Sequence, residues 1–405
     1  MRSRRVRESS PPLFGNDPLP EFASTPEEIR RAVQRNAVKR GQFFALNLVR
    51  LGFDQILEQV EALARDTDPE IWRESASRLG IDTKALDVLD SILVRYPYYF
   101  CDSTQLVQTP ALIMYYRNVA MVSAKVMRGI GLDTTPHELG QPLPEDKAEQ
   151  LAKYLNGTVS ALLIENQSLV TSRRHIEMVF SNVGESIGGS WRNEVGRLAY
   201  AELMGLLLRH LHARQCLSAI GYDLKGPLVE PEEEENKFLA TDNVLADSPD
   251  FVANLEGIEA NRVVYKTITL RNRNELLLNR QIEWVDLKGT PFKIGPDLSA
   301  FAPGDVLTWG GELKGGADPA GSDEHWKTAT RAFDRILDAV EHTARPKPKL
   351  SFIASILVDR VAREAALWIQ QGKLTSVYNL TQIAESTEKR DQFLNDMLGF
   401  LHCGP

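Results

Sequence analysis

The sequence predicts an α+β (mixed α/β) protein, with a large helical N-terminal domain followed by a core whose mixed central sheet is flanked by helices. Three observations carry this prediction. Apolar residues recur at helical spacing from residue 25 to about residue 175. From residue 260 the pattern changes to short runs rich in β-branched and aromatic residues, bounded by turn formers. The last third then interleaves strands with amphipathic helices, in the order strand, strand, strand, helix, strand.

Taken in order, MRSRRVRESSPPLFGN is basic but has no apolar stretch of the signal-peptide kind, so residues 1–24 are expected to be a disordered arm. Thr25-Pro26-Glu27-Glu28 is a helix start, with a cap, a proline in the first turn and acids near the positive end of the dipole. Residues 25–180 form the expected helical domain, with Phe43, Leu46, Val49, Leu57, Val60 and Leu63 at helical spacing and a Pro/Gly loop over 131–144. Residues 181–405 form the expected second domain, whose first helix is capped by Ser190 and buries Val195, Leu198, Ala199, Leu203, Leu206 and Leu207. An acidic, Pro-bounded connection follows near 228–243. Strands are expected over 262–270, 278–287 and 305–315, a helix capped by Ser322 over 322–344, another strand over 347–356 and a helix over roughly 356–372.

No apolar run approaches the roughly 18 residues that span a bilayer. Cys101, Cys216 and Cys403 are too dispersed for a disulfide framework or a C-x-x-C zinc motif, and a reducing cytoplasm fits them. The net charge of −8 argues against a passive nucleic-acid binder, because such affinity leans on Lys and Arg meeting phosphates. It leaves room for an enzyme that needs acids for a metal and only a local basic cleft for its substrate.

The stretch that carries chemistry is KIGPDLSAFAPGDVLTWGGELKGGADPAGSDEHWKTATRAF. Residues two apart in a strand share a face, so Glu312 and Lys314 point one way, while Leu307, Trp309 and Leu313 point the other way and suit a core under the helix at 322–344. A hairpin turning near SAFAPGD brings Asp297 beside the pair, and Asp286 and Asp305 compete for the same place. Two carboxylates can hold a hard divalent cation such as Mg²⁺, and a lysine beside them can orient water and offset transition-state charge. That set suits hydrolysis of a phosphodiester. Gly310, Gly311, Gly315 and Gly316 would admit a bulky backbone such as DNA. Glu-x-Lys also occurs widely on exposed strands, and the pattern alone does not separate the two readings.

Pro296-Asp297 followed by Glu312-Leu-Lys314 resembles the PD-(D/E)xK nuclease signature, and ELKGGADPAGSDEHWKTA, 312–329, resembles the catalytic segment of type II restriction endonucleases of the AvaI/BsoBI type. The resemblance implies catalytic roles for Glu312 and Lys314, with Asp297 and Glu312 as metal ligands. It also implicates His325 in the active site and Asp318 in DNA contacts. GKLTSVYNLTQ, 372–382, is similar to the C-terminal part of such enzymes, and SWRNEVGRLAYAEL, 190–203, to the helix that opens many nuclease cores, where Glu202 could add a carboxylate. As a neutral imidazole His325 could act as general base; Asp318 could equally cap a turn.

Lys327, Arg331 and Arg335 form one stripe, available to phosphates or to ion pairs with Asp334 and Asp338. Arg173, Arg174, His175, Arg192, Arg197, Arg209 and Arg214 make a second basic set, in which Arg173-Arg174-His175 could reach a groove. The leading reading is a homodimeric, Mg²⁺-dependent endonuclease that cuts double-stranded DNA, since two equivalent scissile phosphates call for two active sites. A cognate DNA methyltransferase follows from the class. The alternatives are a repair or structure-specific nuclease on the same core, and a catalytically inactive DNA-binding module.

Overall fold

The structure, a computed structural model, describes residues 18–224, 235–240, 263–285 and 288–403. The acidic stretch 228–243 and Asp286 lie partly or wholly outside the described residues. Two compact units are present: residues 40–191, and residues 1–39 together with 192–405.

The first unit is helical. It holds the end of α1 (Pro26–Arg50) and the helices α2 (Phe53–Asp66), α3 (Pro69–Leu79), α4 (Thr83–Ser91), α5 (Ser103–Gln108), α6 (Leu112–Val119), α7 (Ala124–Gly129), α8 (Thr135–Glu138) and α9 (Glu145–Glu165), and the first part of α10 (Arg174–Ala213). Asp68, Asp82, Asp102 and Ser123 each accept a backbone N–H at a helix start, satisfying one of the donors that a first turn leaves free. Val60, Trp72, Leu86, Tyr99, Phe100, Tyr115, Leu155 and Val179 belong to one continuous apolar core. A buried Arg117–Glu138 pair, with two guanidinium nitrogens on the two carboxylate oxygens, ties the loop at 131–144 to α6. Ser190 was expected to start a helix. Instead α10 runs unbroken through Gly188-Gly189-Ser190, and the Ser190 hydroxyl bonds back to the Ser186 carbonyl.

Among the described residues, the second unit is built on an eight-stranded mixed sheet. Its strands are β1 (Leu217–Leu224), β2 (Glu235–Ala240), β3 (Val263–Leu270), β4 (Glu275–Leu278), β7 (Leu298–Ala302), β8 (Val306–Lys314), β9 (Lys349–Ala354) and β10 (Ser376–Asn379), in the spatial order β10-β9-β8-β7-β4-β3-β1-β2. A small hairpin, β5 (Ile282–Val285) with β6 (Pro291–Ile294), stands apart from it. The sheet is antiparallel from β2 to β8 and parallel from β8 to β10. Parallel neighbours need crossovers, supplied by α11 (Ser322–Thr343) between β8 and β9 and α12 (Asp359–Gln370) between β9 and β10. Two short helices close the chain, α13 (Leu380–Glu385) and α14 (Thr387–Phe400).

One face of the sheet packs Leu307, Leu350 and Phe352 against Trp326, Phe333 and Ile336 of α11. The other packs Trp309, Leu313 and Ile353 against Leu203, Leu207 and Leu211 of α10 and Phe393, Met397 and Phe400 of α14. Leu307, Trp309 and Leu313 were expected to share one face, and they do not. β7 pairs Ala300 with Trp309 but Phe301 with Leu307, so Thr308 is an extra residue that reverses the alternation. Trp309 stacks on Phe400 (centroids 5.9 Å apart) and donates from Nε1 to Ser351 Oγ (2.7 Å).

Residues 18–39 belong with this sheet. Ala32 packs with Ala317 and Ile356, Ser24 accepts the Leu357 N–H (2.9 Å), and Arg31 and Arg35 both pair with Glu385. No helix among the described residues is long and apolar enough to cross a membrane.

Candidate active site

The carboxyl end of β8, where the sheet changes from antiparallel to parallel, gathers three charged side chains. Beyond the bulge, even-numbered residues face α11. Gly310 points toward Leu350 and Ile336, and Glu312 and Lys314 follow on that side. β7 and β8 form a hairpin that turns through Gly304 (φ +85°) and Asp305 (φ +57°). The hairpin brings Asp297, at the entry to β7, level with the end of β8. Asp297 Oδ2 accepts the Leu313 N–H (2.8 Å) and a proton of Lys314 Nζ (3.0 Å), and Lys314 Nζ also donates to Glu312 Oε2 (2.7 Å). Asp297 is held from behind, its carbonyl accepting the Asn279 N–H (2.9 Å) and the Tyr200 hydroxyl (3.4 Å). Asp305 sits in the turn at the far end of the same strand, about 20 Å from Glu312 at the rise of a strand.

Electrostatics follow from this packing. Glu312 is 3% exposed, and burial, then the neighbouring Asp297 carboxylate, push its carboxyl up to about 7 against the pull of Lys314. Burial alone would lower the Lys314 ammonium, but the two carboxylates outweigh it and hold it above the usual lysine range. Among the described residues no three His, Cys, Asp or Glu side chains converge as a ready cage. Two carboxylates crowded on one ammonium, with one pushed toward its neutral form, are nonetheless a hard oxygen donor set that a divalent cation relieves. Such a site suits an ion that keeps several waters.

His325 lies in the first turn of α11, half-buried, its pKa lowered by burial and then by Lys314, with Asp318 opposing. The turn that leads to it is made by Asp318, whose Oδ1 accepts the Ala320 N–H (3.0 Å) and whose carbonyl accepts the Gly321 N–H (3.1 Å). Gly321 is the cap of α11, one residue before the expected Ser322, which is buried.

The other expected residues are spread more widely. Lys327, Arg331 and Arg335 are exposed on α11, with Lys327 bound to Glu324 (2.9 Å), while Asp334 pairs with Lys373 (3.6 Å). Arg173 and Arg174 belong to the helical unit, where Arg174 is engaged by Glu177 and the Leu169 carbonyl; exposed Arg192 opens the second stretch of the sheet unit. His175 does not reach a groove: it is 4% exposed, stacked on Tyr98 and bonded to the Tyr115 hydroxyl (2.7 Å). Glu202 is exposed and lines a groove with Arg35, Asn36, Lys39, Gly315 and Ala317.

The glycines beside the site answer to the protein's own side chains. A Cβ on Gly311 would lie 2.7 Å from the Trp309 ring, and one on Gly315 would lie 2.6 Å from both Ala199 Cβ and the Val195 carbonyl of α10. A Cβ on Gly316 would lie 2.7 Å from His325 Nε2. Sequence reasoning read these glycines as openings for DNA and missed Tyr200 altogether. Nothing local to Tyr200 announces a partner 97 residues away.

Fold and site together give a mixed α/β core with an acidic pair and a lysine at one strand end, an arrangement consistent with a restriction-endonuclease fold. The family model "Restriction endonuclease BsobI" matches residues 160–388, more than half of the chain, and the chain belongs to that family. It is 30% identical over 199 residues to the type II restriction enzymes AvaI of a Nostoc species and of Anabaena variabilis, covering 49% of this chain and 58% of each relative. It is 46% identical over 72 residues to the type II restriction enzyme BsoBI of Geobacillus stearothermophilus, covering 18% of this chain and 22% of that enzyme. The match to the AvaI enzymes thus spans under two thirds of their length.

Proposed function

We propose that the protein is a type II restriction endonuclease of the PD-(D/E)xK kind, hydrolysing phosphodiesters of double-stranded DNA at a specific sequence with Mg²⁺. The observation that carries the reading is the convergence of Asp297 and Glu312 on Lys314 Nζ. Family membership and the naming of relatives as type II restriction enzymes support it. Asp297 and Glu312 would hold the divalent ion, which supplies Lewis-acid polarisation of the phosphate and acidifies a water. Lys314 orients the attacking water and offsets charge building on the phosphate oxygens. His325, kept neutral by burial and Lys314, is available to take the water's proton. The water oxygen bonds to phosphorus, the bridging P–O bond breaks, and the leaving oxygen takes a proton from solvent water.

On this reading Lys327, Arg331, Arg173, Arg174 and Arg192 contact DNA phosphates, and Asp318 contributes to DNA contacts. The helical unit serves dimerisation or DNA wrapping. The enzyme works as a cytoplasmic homodimer beside a cognate methyltransferase. Plasmid digestion with Mg²⁺ or EDTA, comparing the parent with Glu312→Gln, tests the assignment. Sharp, metal-dependent fragments are expected from the parent, and a loss of about 10²–10³-fold or more from the variant. Equal fragments from both would overturn it, and a structure-dependent smear in place of discrete bands would favour a repair nuclease.

A further inference from the structure

The three glycines that crowd the end of β8 have different neighbours, and only Gly316 meets a side chain with chemistry to offer. A Cβ there would lie 2.7 Å from His325 Nε2, 3.6 Å from Cε1 and 3.7 Å from Cδ2. Its backbone lies outside the left-handed region, so φ does not demand glycine at this position. The space is therefore kept open for the ring. The ring in turn is half-buried within the electrostatic reach of Lys314, two residues before Gly316.

We propose that Gly316 is a positioning residue for His325: the missing methyl group is what allows the imidazole to stand beside the Asp297–Glu312–Lys314 cluster. The obstruction that an alanine would create falls on the tip of a rotatable side chain rather than on backbone. The fold can yield by swinging the ring outward, so the substitution is cheap for folding and harmful to placement. The contrast with Gly315 is direct, because there the obstruction falls on Ala199 Cβ and the Val195 carbonyl of a packed helix. This inference rests on the role assigned to His325 in the cleavage reaction.

The test is a cycle of Gly316→Ala, His325→Ala and the double variant. A misplacement of order 1 Å costs about 10²-fold, so Gly316→Ala should lower kcat by about 10- to 100-fold with KM for DNA changed by less than about twofold. In the His325→Ala background the same substitution should add no further loss, since the residue it positions is gone. In the ion-free protein, the His325 imidazole resonances should shift in Gly316→Ala while those of buried His175 stay in place. Losses that multiply in the double variant, or His325 resonances that do not move, would overturn the proposal. Full activity in His325→Ala would instead refute the catalytic role of His325, and the resonance arm would still report whether Gly316 sets the ring.

Discussion

Lys314 Nζ stands 2.7 Å from Glu312 Oε2 and 3.0 Å from Asp297 Oδ2, so one ammonium serves two carboxylates that repel each other. Glu312, the more buried of the two, is pushed up to about 7, above its ordinary 4.5. A raised carboxyl favours the ion-free fold fully below pH 4.5, and that contribution is lost as pH rises through about 7. A divalent ion must displace the same proton. If Asp297 and Glu312 hold Mg²⁺ as proposed, its binding to the free protein should strengthen as pH rises through about 7 and level off above it, with proton release shrinking in step. Calorimetric titration across that range, in buffers of different ionisation enthalpy, reads both. Affinity independent of pH would contradict the buried, proton-holding Glu312.

Gly315 should behave as a packing residue. An alanine there drives into Ala199 and the Val195 carbonyl, and α10 must shift to make room. Overpacking of this kind costs about 1–3 kcal/mol, which lowers Tm by about 2–4 °C per kcal/mol in a domain of this size. Thermal unfolding of Gly315→Ala beside Gly316→Ala checks the contrast, with only the first expected to lose several degrees. An unchanged Tm in Gly315→Ala would mean that the helix yields freely.

In the helical unit, burial pushes His175 down from 6.5 to about 4, against a smaller opposing hydrogen bond at Ser172. Above pH 6.5 the ring is neutral in both folded and unfolded chains, and its contribution is fully present. As pH falls toward about 4 the unfolded chain takes up a proton that the native ring refuses. The loss builds to about 3 kcal/mol. Urea unfolding of the parent and of His175→Gln, followed from neutral pH downward, should show the steeper decline in the parent. Parallel declines would place His175 outside this balance.

The physics of sequence reading explains which parts of the site were legible. Glu312 and Lys314 share a face because strand periodicity is local, and Asp297 arrives beside them because a short Gly-containing turn fixes the hairpin. Switching from helical to alternating patterns marked the sheet unit for the same reason. Thr308 gave no such signal, since no proline or glycine within Leu307-Thr308-Trp309 marks an inserted residue. The purpose of Gly315 and Gly316 depends on what stands opposite, and for Gly315 that is a helix more than a hundred residues away. Ser190 looked like a helix start because serine is a favoured cap and a helical apolar stripe follows it. Apolar residues on either side, Ile187 and Trp191 among them, are buried in the helical unit and keep the helix continuous. His175 carried the basic character of its two neighbours in sequence, while its tyrosine surroundings come from residues 98–115.

The extra residue at Thr308 bears on how members of this family are recognised. On the turn side of it, an odd position such as Leu307 looks toward α11; on the other side, the even positions do. A chain one residue shorter there could keep every letter of Glu-Leu-Lys at the same spacing while reversing the facing of its upstream half. Parity along the strand, which no motif string records, decides whether the acids and the hairpin's far wall serve the same side.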